Sequence, residues 1–304
     1  MKFSALFKRW YWTLAPLHFE FTRAIYRIFA FKRITIKAPD ALGDTVMYTS
    51  AIDEIKRAKP TLSVTVATNQ PLVFLRNPNV DRVIKQRECG LLFLDFSLKM
   101  WQSARDTHRA LLFAQLFLRN RQSQEPNPQI FLADEEIEAI RAHLPQSFIA
   151  VNPNSRYQED MDMRAWGFER YQEVARLMSD IAFVQLGSKN DPLLANAIDF
   201  RGCDERRSAA IIKLSKAGLF HDCDTMHLAR AVNRPSVVIW GSTSPLNYGY
   251  TLNDNVTPPP EIDCHPCFGK KFSCDRHKAC LAAITPQTIA MRLRRLCEAG
   301  DRYS

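Results

Sequence analysis

Apolar positions come in short unbroken runs separated by polar stretches, and the two kinds of segment alternate along nearly the whole chain. Runs rich in valine, isoleucine, leucine and phenylalanine at 33–37 (RITIK), 62–67, 80–84 and 91–95 are expected as strands. Helical spacing connects them: 45 to about 59, stopped by Pro60, a short helix near 71–75, and 97 to about 119. The second half repeats the alternation, with helices expected over 134–144, 168–178, 206–216 and 225–232. Its strands are expected at 148–151, 181–186, 218–221 and 236–240. A strand such as 236–240, whose residues 237–240 are a continuous apolar run, needs cover on both faces, which a parallel sheet between helices provides. Strand–helix alternation of this kind predicts doubly wound parallel sheets, an α/β class. The polar stretch 120–128, NRQSQEPNP, reads as a linker. It divides the chain into domains at 32–128 and 129–284, followed by a last helix in 285–304 that Pro286 opens.

Residues 1–31 have a different pattern. At ~100° per residue, Phe3, Leu6, Phe7, Trp10, Leu14, Leu17, Phe21, Ala24, Ile25 and Ile28 share one helix face, while Lys2, Arg9, Arg23 and Arg27 lie opposite. Pro16 is expected to break or kink this helix. Two roles fit: docking on an anionic membrane surface, or packing of the apolar stripe against the following domain. Aromatic density and a basic outer face favour the first. Charge placement agrees, because seven basic residues against Glu20 put +6 of the net +9 into residues 1–33. A nucleic-acid-binding protein would spread that charge over its folded surface, so no nucleic-acid partner is expected. There is no apolar run of membrane-spanning length and no secretory signal pattern, so a cytoplasmic location is expected.

The densest chemistry lies between His221 and Pro245. Asp222, Cys223, Asp224 and Thr225 stand at a helix N-terminus, where free N–H groups and the helix dipole receive a phosphate. His227, in the first turn, can add a donor. Equally, Asp222 or Asp224 can serve as an N-cap and His227 can pack locally. Gly187 ends an earlier strand where a base or ribose could lie.

The run Asp222-x-x-x-Met226-His227-Leu228-Ala229, then Arg234-Pro235-Ser236 and Trp240-Gly241-Ser242-Thr243, resembles the nucleotide-sugar loop of glycosyltransferase family 9, the heptosyltransferases. Leu42-Gly43-Asp44 after the first strand, Pro78 to Ile84, and Arg164-Ala165-Trp166 resemble further motifs of that family in the same order. The resemblance implies a GT-B fold of two Rossmann-like domains with a C-terminal crossing helix. It implies inverting, metal-independent transfer of heptose from ADP-heptose to a lipopolysaccharide core or related lipid-linked glycan, at the inner face of the inner membrane. Asp44 would be the catalytic base, since the attacking hydroxyl must lose a proton; a helix cap at 45 is its other reading. Ser155, Arg156 and Arg164 would contact the donor phosphates, with Arg156 fitting an ordinary surface role equally well. The family has glycine where this chain has Asp224, which motivates the alternative of a non-catalytic nucleotide-sugar- or glycan-binding member.

Cys264, Cys267, Cys274 and Cys280 have the spacing of a tetrahedral thiolate site, most often structural zinc. Disulfides and free thiols are the other readings. Cys89, Cys203, Cys223 and Cys297 are scattered and read as ordinary thiols.

Overall fold

The computed structural model describes residues 17, 21, 24, 32–90, 93–95, 107–118, 125–153, 163–268 and 274–301. Of the amphipathic segment this leaves Leu17, Phe21 and Ala24, which are helical and exposed; its other residues lie outside the described ones. Among the described residues no helix is long and apolar enough to cross a membrane. The chain forms two compact units, Met1–Phe131 and Leu132–Ser304.

The N-terminal unit carries four parallel strands, β1 (Arg33–Lys37), β2 (Ser63–Ala67), β3 (Arg82–Ile84) and β4 (Leu94–Asp95), in the order β3-β2-β1-β4. Ile36 pairs with Val66 on one side and Leu94 on the other. Helix α1 (Leu42–Ala58) follows β1, and its residues from Thr45 to Ile55 are all buried. It begins three residues earlier than the sequence suggests, so the connecting loop is only 38–41. Helix α2 (Arg109–Phe117) packs on α1. Beyond it, the chain is fastened back onto α1: Asn127 N–H donates to Ser50 Oγ at 2.9 Å and Gln129 N–H to Thr49 Oγ1 at 2.8 Å.

The C-terminal unit alternates α3 (Asp134–Arg141), β5 (Phe148–Val151), α4 (Phe168–Leu177), β6 (Ala182–Gln185), β7 (Ile198–Asp199), α5 (Glu205–Leu214), β8 (Ala217–His221), α6 (Asp224–Ala231), β9 (Ser236–Ile239), α7 (Pro245–Tyr248) and β10 (Asp254–Val256), ending in α8 (Ala279–Ala282) and α9 (Pro286–Asp301). All six strands are parallel, in the order β10-β9-β8-β5-β6-β7. The central strands are buried on both faces, as their unbroken apolar runs require. Ile149, Val151, Leu219, Val237 and Ile239 meet Tyr171 and Val174 of α4 and Ile289 and Leu293 of α9 in one core. At Gly218 an added Cβ would lie 2.2 Å from Phe220 and 2.4 Å from Ser236 Oγ, so β8 has room for glycine alone there. The last helix packs on α4, β8 and β9 of its own unit.

Helices α3 and α5 are joined by a bidentate pair, Arg206 Nε and Nη2 to the two Glu136 oxygens, each at 2.6 Å. The Arg206 side chain is 6% exposed, so removing Glu136 takes a bidentate carboxylate away from a buried cation. Glu136→Ala is expected to destabilise the C-terminal unit by about 3 kcal/mol in denaturant titration, more than Arg206→Met, which also removes the charge. Equal losses would show that the pair's charge is immaterial.

Candidate functional site

With β5 as its first strand, the C-terminal sheet runs outward in both directions from the gap between β5 and β8. The chain reverses its order there, and such sheets open a ligand crevice at the carboxyl ends of those two strands. Asn152 leaves β5 at this edge, and its Nδ2 donates to Thr225 Oγ1, the second residue of α6, at 3.3 Å. Asp222 leaves β8 beside it, buried, and accepts a hydrogen bond from Thr243 Oγ1 at 2.7 Å. Arg164 Nη1 stands 4.0 Å from the same carboxylate oxygen, with its side chain one-third exposed.

The turn bearing Arg164 is fixed from two sides. Trp166 is buried, donates from Nε1 to Ile284 O at 3.0 Å and meets Tyr171 edge-on at 5.1 Å. Ser242 N–H donates to Met163 O at 3.3 Å, and Gly241 lets the end of β9 approach, since a Cβ there would lie 2.8 Å from that carbonyl. Gly187, at φ +123°, brings the end of β6 alongside; a Cβ on it would sit 2.7 Å from Asp191 Oδ2 and 2.9 Å from Asn152 Oδ1.

Cys223 occupies the N-cap position of α6 with extended backbone. Its Sγ lies 2.9 Å from Thr225 Oγ1, and burial pushes the thiol up to about 11. The cap is therefore a neutral thiol at neutral pH, which puts no negative charge against the positive end of the helix. Iodoacetamide at pH 8 is expected to leave Cys223 unmodified in the folded protein and to label it after denaturation, read by mass spectrometry. Rapid native labelling at Cys223 would contradict the neutral cap.

The structure thus brings together Arg164, Gly187, Asp222 and Thr225, and places Asp224 as the first residue of α6. Ser155 and Arg156 lie outside the described residues. His227 is turned inward: it is buried, with Nδ1 2.7 Å from Tyr250 Oη and its ring edge-on to Tyr250. Its position in the first turn suggested a donor for the loop, with local packing as the other reading; Nδ1 of this fourth residue of α6 meets Tyr250, in the segment after β9. Asn152 and Tyr250 are the partners that sequence reading did not single out; Thr243 appeared only as the end of the Trp240–Thr243 run. Asn152 could have been found as the polar residue that ends a fully apolar strand. His221 was also passed over; it is buried at the end of β8, 3.3 Å from Tyr171 Oη, and braces the strand that delivers Asp222.

In the N-terminal unit Asp44 is the third residue of α1. The helix starts at Leu42 with Ala41 at the cap, so the idea that Asp44 caps a helix beginning at 45 is corrected. Thr45 Oγ1 donates to Pro39 O at 2.8 Å and closes the turn beneath Asp44. At the corresponding edge between β1 and β4, Lys37 Nζ and Asp95 Oδ2 form an ion pair at 2.9 Å.

Zinc, disulfides and free thiols were the three readings of the Cys264–Cys280 element. All eight cysteines are free thiols, and among the described residues no three His, Cys, Asp or Glu side chains form a metal-ligand group. Cys280 packs in the core with Leu281 and Ile284, and burial raises its thiol above the ordinary range. Cys264, Cys267 and Cys274 are half-buried around it.

Two parallel α/β units, the second in the Rossmann strand order, are the architecture of GT-B glycosyltransferases. The chain is similar in fold to a glycosyl transferase of family 9 from Veillonella parvula, with 16% identity, a TM-score of 0.70, and coverage of 88% of this chain and 98% of that one. It is similar also to the E. coli ADP-heptose lipopolysaccharide heptosyltransferase II, at 17% identity and a TM-score of 0.69 over 88% and 99% of the two chains. The iron-containing dodecameric glycosyltransferase TibC of E. coli matches at 13% identity and a TM-score of 0.69, over 88% and 76%. No protein-family model matches the sequence, and no curated protein sequence matches it.

Proposed function

We propose that this protein is a glycosyltransferase that binds a nucleotide-diphosphate sugar in the β5/β8 crevice of its C-terminal unit. The observation that carries the reading is the convergence of Arg164, Asp222, Thr225 and Gly187 on that crevice, in a fold similar to proteins solved with ADP and with ADP-heptose. ADP-heptose is the proposed donor, and a lipid-linked glycan of the lipopolysaccharide-core kind is the proposed acceptor.

In this reading Arg164 faces the diphosphate, and the amide end of α6 adds its dipole. Asp222 holds Arg164 in place and offers its carboxylate to donor hydroxyls. Asp44 accepts the proton of the acceptor hydroxyl as that oxygen attacks the anomeric carbon, so the sugar inverts as the nucleoside diphosphate leaves. The basic, aromatic N-terminal segment would hold the enzyme against an anionic membrane, at the cytoplasmic face where such acceptors are extended.

The test is nucleoside diphosphate release from a panel of nucleotide sugars, ADP-heptose included, with and without deep-rough lipopolysaccharide as acceptor. Acceptor-dependent release from one donor supports the reading. Tight donor binding without release from any donor would favour a binding protein on the same fold. In that case Asp224, a carboxylate at the first position of the phosphate-side helix, is the residue to replace with glycine.

A further inference from the structure

The loop that delivers Asp44 is short, with Ala38 N–H on Ala67 O at 2.9 Å and Thr45 Oγ1 on Pro39 O at 2.8 Å. Residues 38–41 join β1 to α1, and Ala41 at the cap has no side chain to fold back on the helix. The loop is tied further by carboxamides from two neighbouring loops. Asp40 Oδ1 accepts from Asn69 Nδ2 at 2.8 Å and from Gln86 Nε2 at 3.0 Å. Asp40 O accepts from Gln70 Nε2 at 3.1 Å, and the same Gln86 Nε2 reaches Ala38 O at 2.9 Å.

The donors are themselves anchored. Thr68 Oγ1 accepts from Gln70 N–H at 2.9 Å, Thr68 N–H bonds Ile84 O at 2.9 Å, and the turn bearing Gln86 is closed by Glu88 N–H to Lys85 O. A single exposed hydrogen bond does little in water. Here four bonds from three side chains meet on two carbonyls and one carboxylate of one loop. They draw the loops after β1, β2 and β3 into a single polar brace at the carboxyl edge of the sheet.

We propose that Asp40 is a positioning residue: it gathers Asn69, Gln70 and Gln86 and thereby sets the approach from which Asp44 meets the acceptor hydroxyl. This rests on the reading of Asp44 as base. Asp40 touches neither substrate nor the reacting proton; it fixes the first turn of α1 through its own loop.

Two measurements decide it. The first is amide hydrogen exchange of the full chain, which needs no substrate. Asp40→Ala and Gln86→Met should each speed exchange of the amides at 40–45 by about tenfold or more, with the strands β1 and β2 unchanged. Unchanged exchange in both variants overturns the brace, and Gln86→Met answers the question should Asp40→Ala fold poorly. The second is ADP release from ADP-heptose with deep-rough lipopolysaccharide. Asp40→Ala should lower kcat by about 10- to 100-fold at unchanged donor KM, as misplacement of a reacting group does. Added to Asp44→Asn, it should cost nothing further, because it acts only through Asp44. A full additive loss in that background, or normal kcat in Asp40→Ala beside an inactive Asp44→Asn, overturns the proposal. An active Asp44→Asn enzyme would instead remove the base assignment, with the exchange result still standing by itself.

Discussion

Asp44→Asn should lower transfer by about a thousandfold while leaving donor affinity within about twofold, the signature of a lost general base. The two side chains are nearly equal in size, so the first turn of α1 and its Thr45–Pro39 closure stay intact. What disappears is the ability to take up a proton. The positive end of α1 favours the carboxylate, so losing the charge costs the helix no more than about 1 kcal/mol, and melting should shift little. Rates of nucleoside diphosphate release and donor titration by calorimetry separate the two effects. Near-normal turnover in the variant would take Asp44 out of the chemistry.

The second large effect is expected at Arg164. Arg164→Ala should weaken donor affinity by about 10- to 100-fold, the size of a charge-assisted hydrogen bond to phosphate. Fold stability should change less than donor affinity, because Trp166 and Ser242 also hold the turn. Arg164→Lys should restore only part of the affinity, since an ammonium lacks the planar fork that engages two phosphate oxygens. Calorimetric titration with ADP reads this without an acceptor. Unchanged ADP affinity in the alanine variant would place the diphosphate away from Arg164, and with it the proposed orientation of the donor.

Much of the fold could be read from the sequence because buried parallel strands leave an apolar signature. Phe148–Val151 has no polar residue and Ser236–Ile239 only its opening serine, and both are interior strands of the sheet. The strands that escaped notice are β7, Ile198–Asp199, and β10, Asp254–Val256. They are two or three residues long, largely polar, and at the two edges of the sheet, so only their pairing with β6 and β9 defines them. The start of α1 was misplaced because Gly43 reads as a loop residue; its burial within the first turn overrides that preference.

The site divides along the same line. Asp222 and Thr225 could be singled out because they sit at element ends, where a strand or helix terminus announces itself; Arg164 entered only through the resemblance of Arg164-Ala165-Trp166. The bonds from Asn152 to Thr225 and from Thr243 to Asp222 join residues 73 and 21 positions apart, which no local pattern encodes. The spacing of Cys264, Cys267, Cys274 and Cys280 suggested a metal site; the apolar surroundings that take Cys280 into the core are a separate feature that spacing does not encode.

The position of β5 beside β8 also governs the order in which the protein can be made. Val151 pairs with Leu219, so the crevice between them cannot exist until residues near 221 have been synthesised. The four-stranded sheet of the first unit is complete in sequence by Asp95, long before that point. On the ribosome the N-terminal unit can therefore fold while the donor crevice is still missing its second wall. A nascent chain stalled before β8 would expose the apolar flank of β5, and the interval between residues 151 and 217 is the stretch of synthesis over which chaperones have that flank to cover.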